Sequence, residues 1–495
     1  MRAAAAGGLA GALLAAWVAV TACQSRAPAG GDANAAAGAD ALRTEPCVGI
    51  PDPTARCHRL SVHEDQTTRR GRTISLRIVV LPATGREKAN DAVVYLAGGP
   101  GQAATEFLGD ASIAVTAARE HRDAIYADQR GTGDSHALLC DFYGPPADPQ
   151  SYFDAFLPID KVKSCRGTLE RDADLAQYTT SASVEDLEAI RRALGYQQLT
   201  LVGGSYGTRL AMEYVRRYES HVRAVILEGP VTPANHVPEH FGRLAEHALN
   251  GVLAECLATE PCARVFPRIR EEAREVFERL QRAPAKTTVA HPWARRPAEV
   301  TLTRDHVAEA IRYLLYSTAG ASRVPLYLHE GFGSDFSPIA SFLMRWRVRG
   351  TFDGLYLSIT CAEDVPFVGA AAADADEPTF LGGYRVRQQR AACEAWPRGT
   401  KSASSDAPVT SRVPVLILSG ALDPVTPPEN GDVLARTLSR SLHVRVPSGG
   451  HALYGLNGLD CVDGLKRAFV ERGTVEGLDT SCVRGITRAG FVLSQ

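Results

Sequence analysis

The chain has 495 residues, 45% of them hydrophobic and 22% charged, with a formal net charge of −2. That length is too great for one ordinary core, so two domains, or one domain with a large insertion, are expected. The near-neutral balance gives no sign of the strongly basic surface that nucleic-acid binders use, and no nucleic-acid partner is expected.

Met1-Arg2 is a short positive start, and Ala3 to Val20 is almost wholly apolar and small. Residues 1–22 read as an export signal, the run being somewhat short for a membrane span. Val20-Thr21-Ala22-Cys23 resembles a bacterial lipobox, which makes Cys23 the expected lipidation site. An ordinary signal peptide cleaved nearby, or a membrane anchor, is the competing reading. The lipid reading implies an exported envelope protein, outer-membrane or periplasmic, that touches the membrane through its anchor; secretion is the alternative. Gln24 is not the aspartate that would favour inner-membrane retention. Residues 23–45, rich in Ala, Gly and Asp, read as a flexible tether that cannot bury a core.

Setting aside Cys23 leaves ten of the eleven cysteines, an even set that suggests disulfides in an exported chain. Sequence neighbours would pair as Cys47–Cys57, Cys140–Cys165, Cys256–Cys262, Cys361–Cys393 and Cys461–Cys482, although connectivity does not follow from sequence. No C-x-x-C pair or histidine cluster points to zinc, so no metal site is expected.

Residues 46–230 read as a first α/β segment. Arg59 to Val62 and Thr73 to Leu81 suggest an antiparallel pair of strands. Ala92 to Ala97 is a buried-type strand ending in Gly98-Gly99-Pro100-Gly101, with a helix to about Arg119. Ala124 to Ala127 is another strand, ending in Asp128-Gln129-Arg130-Gly131-Thr132-Gly133-Asp134-Ser135. After a long polar region, Ser183 is a candidate cap for a helix through Leu194, closed by Gly195. Leu199-Thr-Leu-Val-Gly-Gly-Ser205 then runs as a strand into a sharp turn, and Leu210, Tyr214 and Tyr218 mark the next helix at i, i+4 spacing. Ala224 to Leu227 is a further strand. This alternation predicts a mostly parallel sheet covered by helices on both faces.

From 231 to 411 the alternation stops and the chain reads mainly helical: Pro238 to Ala258, Pro267 to Arg282, Thr303 to Ser317, Asp335 to Trp346 and Tyr384 to Trp396. The block reads as a cap inserted between two sheet strands. Its apolar face Phe241, Leu244, Ala248 and Val252 reads as core. Residues 412–495 resume the sheet with Val413 to Ser419, then Asp423, a helix from Glu429 to Leu438, a strand His443 to Val446, and Gly449-Gly450-His451.

Gly203-Gly204-Ser205-Tyr206-Gly207 fits the G-x-S-x-G elbow, which sets a serine on a strained strand-to-helix turn between small residues. Alone, the pattern is common. A serine nucleophile needs a base to take its proton and a carboxylate to hold that base. Asp423 and His451 each follow a strand and come in that order, so Ser205, Asp423 and His451 form the expected triad, with Glu228 an alternative acid and His443 a weaker histidine. The oxyanion donors expected are the amide of Tyr206 and that of Gly99 or Gly101, since Pro100 has none. Such a mechanism uses no cofactor. Arg130 reads as a brace for its own loop.

Gly98-Gly99-Pro100-Gly101, the Asp128–Ser135 block, Gly203–Thr208, Asp423 and Gly450-His451 together resemble the proline iminopeptidase and tripeptidyl aminopeptidase branch of the α/β-hydrolases, from about Cys47 to Cys482. The resemblance implies an α/β-hydrolase fold with an inserted cap, and a serine exopeptidase acting near the N-termini of short peptides. Ala97 stands where proline iminopeptidases usually have histidine, which favours the tripeptidyl group. An esterase or other acyl hydrolase remains the alternative, since fold does not fix substrate. Glu363 and Asp364, in a segment resembling the family's acidic stretch after the cap helices, are the expected ligands of a substrate ammonium, with a solvated acidic loop as the competing reading.

Overall fold

The computed structural model describes residues 41–108, 112–145, 147–291, 296–349 and 351–494. The export signal and Cys23 lie outside these residues. No described helix is long and apolar enough to cross a membrane.

A nine-stranded sheet organises the chain. Its members are β1 (Leu42–Glu45), β2 (Arg56–His63), β3 (Thr73–Leu81), β4 (Asp91–Leu96), β5 (Asp123–Ala127), β6 (Gln198–Gly204) and β7 (Val222–Glu228). After a hairpin in the cap, β8 (Ala285–Ala290) with β9 (Pro297–Leu302), come β10 (Val415–Gly420) and β11 (Ser441–Val446). A two-residue pair, β12 (Leu456–Asn457) and β13 (Thr487–Arg488), lies near the C-terminus. The sheet order is β1-β2-β3-β5-β4-β6-β7-β10-β11. Pairing is antiparallel from β1 to β5 and parallel from β5 through β4, β6, β7 and β10 to β11.

Period-2 alternation explains why the sheet is covered twice. Ala92, Val94, Val225, Leu227, Val415 and Ile417 face one layer, which holds the helices Thr180–Leu194 and Tyr206–Tyr218. Val93, Ile226, Leu416 and Leu418 face the other, with the helices Ile113–Ala118 and Asp460–Arg472. The fold is that of an α/β-hydrolase.

Residues between β7 and β10 form the cap, with its own core from Phe241, Ala248, Val252, Ile311, Leu343 and their neighbours. Leu244, expected in that core, is only half-buried. The hairpin β8–β9 is a departure from the helical expectation: Thr287, Thr288 and Val289 oppose Val300, Glu299 and Ala298. Only Val289, Val300 and Leu302 of the hairpin are buried, too few for a clear alternation. The polar region after β5 is also structured. Its helix Ile159–Leu169 fully buries Val162 alone, and its neighbours Leu138, Leu157 and Leu175 pack on Leu355, Leu357 and Ile359 of the cap.

Two boundaries differ from expectation. Leu42–Glu45, assigned to the tether by composition, pairs with Leu60–Cys57 as an edge strand, because backbone hydrogen bonds there need no apolar side chain. The helix through Leu194 starts one turn earlier, capped by Thr179, whose hydroxyl accepts from Ala182 N at 3.2 Å; Ser183 instead donates to Thr179 O at 3.0 Å. All five cysteine pairs are sequence neighbours: Cys47–Cys57, Cys140–Cys165, Cys256–Cys262, Cys361–Cys393 and Cys461–Cys482.

Candidate active site

Four neighbouring parallel strands deliver the site. Ser205 follows β6, Gly229 follows β7, Asp423 follows β10 and His451 follows β11, all at the same sheet edge. Ser205 sits at φ 54° and ψ −121°, a conformation that L-residues rarely adopt. The glycines around it are required by space. A Cβ at Gly203 would come within 2.6 Å of Gly207 O, and one at Gly207 would collide with Leu96 O. Ser205 N donates to Glu228 O at 2.9 Å, and Thr208 Oγ1 donates to Ser205 O at 2.6 Å. The strain is therefore held by bonds on both sides of the serine.

Asp423 is 2% exposed. Its Oδ1 accepts from Val425 N at 2.8 Å and Thr426 N at 2.9 Å, and its Oδ2 accepts from Thr426 Oγ1 at 2.7 Å. His451 Nδ1 lies 2.7 Å from the same Oδ2 and 3.0 Å from Thr426 Oγ1. A carboxylate can only accept, so this network assigns the His451 proton to Nδ1 and leaves Nε2 free to take one. Gly229 packs directly on the imidazole, where a Cβ would come within 3.1 Å of the ring. Because Ser205 N binds the carbonyl of Glu228, the serine and the histidine flank consecutive residues, 228 and 229. The Tyr316 ring meets His451 edge-on, centroids 5.2 Å apart at 79°.

The loop after β4 closes over the serine. A Cβ at Gly98 would come within 3.2 Å of Ser205 Cβ. Gly99 and Gly101 stand at φ 107° and 105°, and among the described residues no acceptor takes either N–H. Tyr206 opens the elbow helix, so its N–H has no intrahelical partner. Its buried phenol is fixed by Thr180 Oγ1 at 2.9 Å and Gln129 Nε2 at 3.1 Å, and burial raises its pKa. These free amides around Ser205 are what a developing oxyanion needs. Gly101 O in turn accepts from Phe352 N at 2.9 Å. The next residue, Asp353, has Oδ1 bonded by Thr351 Oγ1 at 2.8 Å, and burial pushes its carboxyl up to about 7.

The acidic pair is placed otherwise than expected. Glu363 accepts from Thr180 N at 2.7 Å and Thr180 Oγ1 at 2.6 Å. Asp364 accepts from Arg209 Nη2 at 2.8 Å. Burial raises the Glu363 pKa; at Asp364 the Arg209 and His236 interactions overcome burial and lower it. Arg209 lies one turn beyond Ser205, so Asp364 braces the elbow helix, while Glu363 holds the start of the helix Thr180–Leu194 and lies 3.9 Å from the same guanidinium. They end a helix, Asp353–Glu363, and are not a loop.

Glu228 is likewise committed, to Lys466 Nζ at 2.6 Å and Ser112 Oγ at 3.0 Å. Arg130 is fully buried and binds Asp186 through two bonds of 2.6 and 2.7 Å and the carbonyls of Glu64, Gln177 and His63, so it ties its loop to the end of β2, the turn Leu175–Gln177 and the helix Thr180–Leu194. His443 lies in a second Ser-His-Asp array, 3.0 Å from Ser419 Oγ and 3.0 Å from Asp432 Oδ1. Ser419 is buried within β10 with no turn to present it, so that array ties strand to helix. Thr426 and Tyr316 contact the histidine but carry no sequence signal: Thr426 reads as turn composition, and Tyr316 as the end of a cap helix.

A family model described as alpha/beta hydrolase fold matches residues 91–256, which include Ser205; one described as TAP-like protein matches residues 378–482, which include Asp423 and His451. The chain is 26% identical over 475 residues to serine protease Hip1 of Mycobacterium tuberculosis (strain ATCC 25618 / H37Rv), covering 89% of each. Carboxylesterase B of the same strain is 27% identical over 468 residues, 87% of this chain and 86% of its own. Tripeptidyl aminopeptidase of Streptomyces lividans is 30% identical over 199 residues, 37% of each chain.

Proposed function

We propose that this serine hydrolase of the α/β-hydrolase fold is an exopeptidase, releasing residues from the N-termini of short peptides through Ser205, His451 and Asp423. The observation that carries the reading is the Asp423–His451 bond of 2.7 Å beside a serine held in elbow geometry. His451 Nε2 takes the Ser205 proton as Oγ attacks the scissile carbonyl, and Asp423 holds the imidazolium. The amides of Tyr206 and of Gly99 or Gly101 receive the oxyanion; one such donor contributes about 2.7–4 kcal/mol to the transition state. His451 then protonates the leaving amine, and a water activated by the same nitrogen hydrolyses the acyl-enzyme. The cycle requires no cofactor.

The relatives named serine protease and tripeptidyl aminopeptidase, and the TAP-like match across Asp423 and His451, support peptide over ester. The relative named carboxylesterase supports the second reading, an esterase on the same residues. Five disulfides support an exported protein, which we place in the cell envelope through lipid on Cys23. Aminoacyl- and tripeptidyl-arylamides are to be assayed against p-nitrophenyl esters, with Ser205→Ala as control. Ser205-dependent amide cleavage is expected; turnover of esters alone would replace the first reading with the second.

A further inference from the structure

The interior of the cap carries an unbalanced charge. Arg312, Arg347 and Arg385 are 1%, 6% and 4% exposed, and Glu309, at 1%, is the carboxylate among them. Glu309 binds Arg347 at 2.8 Å through one oxygen and Arg385 at 3.2 Å through the other. Burial alone would raise its pKa, but the two guanidinium charges outweigh burial and lower it, so Glu309 is ionised and fully committed. Arg347 also donates to Tyr152 O and Asp154 O, each at 2.8 Å.

Arg312 shares in none of this. Among the described residues its one hydrogen bond runs from Nη2 to Tyr316 Oη at 3.1 Å. Its Nε is buried with no acceptor, and among the described residues no carboxylate lies within 4.0 Å of it. Aromatic rings surround it instead, with Phe241 at 4.0 Å, Tyr316 at 5.2 Å and Tyr313 at 5.8 Å from the guanidinium carbon. Ring faces stabilise a cation by about 0.5–2 kcal/mol, less than removing an ion from water costs. A buried cation so left is short of an anion.

Its position says where that anion comes from. Arg312 lies on the helix Arg304–Leu314, whose end is fastened to the histidine loop: Ala452 N donates to Tyr316 O at 2.6 Å, and Ser317 bridges Ala452. The phenol that Arg312 holds is the one whose ring meets His451. Tyr313 stacks on Trp346 at 4.5 Å, Tyr316 meets the same ring tilted at 5.9 Å, and all three keep part of their surface open. They form an aromatic wall beginning at His451 and ending at Arg312.

We propose that Arg312 is the receptor for a carboxylate of the substrate, and that the enzyme selects carboxylate-bearing substrates. The proposal rests on the assignment of Ser205 and His451 as the reacting pair. A guanidinium pairs with a carboxylate through parallel N–H bonds, and in a site without water that pairing is strong and selective. The carboxylate belongs either to an acidic side chain on the acyl side or to the free C-terminus of a short peptide on the leaving side.

Three isosteric pairs test this. Glutamyl- against glutaminyl-arylamide reads the acidic side chain. A tetra-alanine free acid against its C-terminal amide reads the C-terminus. The p-nitrophenyl monoester of glutarate against p-nitrophenyl valerate reads the same chemistry if the enzyme cleaves esters only. The carboxylate member of at least one pair is expected to lead by about tenfold or more in kcat/KM, through KM. Arg312→Met should bring that ratio to about one, Arg312→Lys should retain part of it, and Tyr316→Phe, which keeps the ring, should retain it. Equal loss on both members in Arg312→Met, with the ratio unchanged, would show a structural cation–π prop and overturn the proposal, as would a wild-type ratio near one in all three pairs. Calorimetry of glutarate binding to Ser205→Ala needs no turnover: binding is expected and should vanish in Ser205→Ala/Arg312→Met. No binding there overturns the carboxylate receptor, whereas binding without Ser205-dependent turnover of any substrate overturns the assigned chemistry alone.

Discussion

Asp353 gives the most exacting test of the electrostatics beside the oxyanion loop. Its carboxyl is raised from 3.8 to about 7 by burial, relieved only by the Thr351 hydroxyl. A carboxyl raised in the fold keeps its proton where the unfolded chain has lost it, so stability falls as pH climbs from the unfolded value to the folded one. Between pH 5 and 7 this amounts to about 2.7 kcal/mol at 1.36 kcal/mol per unit. The side chain keeps some solvent contact, and halving for screening leaves about 1.4 kcal/mol. Asp353→Asn mimics the protonated acid and still accepts from Thr351, so its stability relative to wild type should grow by that amount over the interval and stay flat above about pH 7.5. With about 450 ordered residues and an unfolding entropy near 2.1 cal/mol/K per residue, the gain is roughly 1.5 °C in Tm. Paired melts of both proteins at pH 5, 6, 7 and 8.5 measure it. A Tm difference that is constant across the series, or that shifts in favour of wild type as pH rises, would refute the reasoning, the latter by showing Asp353 ionised and paired.

Further outcomes follow from the site. Asp423→Asn keeps the shape but releases the His451 tautomer, and should lower kcat by about 10⁴-fold with the fold intact, read by steady-state kinetics beside circular dichroism. Thr426→Val removes the hydroxyl that bonds Asp423 and should lower kcat by about tenfold at little change in KM, a loss of about 1.4 kcal/mol. Ser419→Ala should leave turnover at the wild-type level, although Ser419 has the same bond to a histidine that a nucleophile would have; loss of activity there would mean that the wrong array has been assigned. Gly207→Ala drives a Cβ into the carbonyls of Leu96 and Ala97 and should destabilise the protein by about 3 kcal/mol or more in denaturant unfolding, if it folds.

What the sequence shows and conceals divides along physical lines. Strands buried on both faces are written as continuous apolar runs, and glycines at Gly98–Gly101 and Gly203–Gly207 mark where backbones must pass closely, so the sheet and the edge that carries Ser205, Asp423 and His451 are legible. The order of Ser205, Asp423 and His451 adds what no single motif could. The hairpin β8–β9 and the helix Ile159–Leu169 are hidden because each buries little, leaving a polar pattern that resembles surface loop. The partners of Glu363 and Asp364 are hidden for a different reason: Thr180 and Arg209 are distant in sequence and meet the two acids only in the fold. Arg312 is concealed altogether. An arginine at i+3 from Glu309 on an amphipathic helix reads as a solvated ion pair, and only the packing shows that Arg347 and Arg385 have taken the carboxylate.

The disulfides hold a consequence for how the chain matures. Each joins a cysteine to the next one along, over separations of 10, 25, 6, 32 and 21 residues, and no loop encloses or overlaps another. An oxidase that couples each thiol to its predecessor as the chain emerges would produce the native set without reshuffling. The count then matters more than the geometry. A free thiol at Cys23 would enter the series first, take Cys47, and shift every later pairing by one, to Cys57–Cys140 and onward. The acylation or removal of Cys23 that we propose would therefore also set the reading frame in which the other ten find their partners.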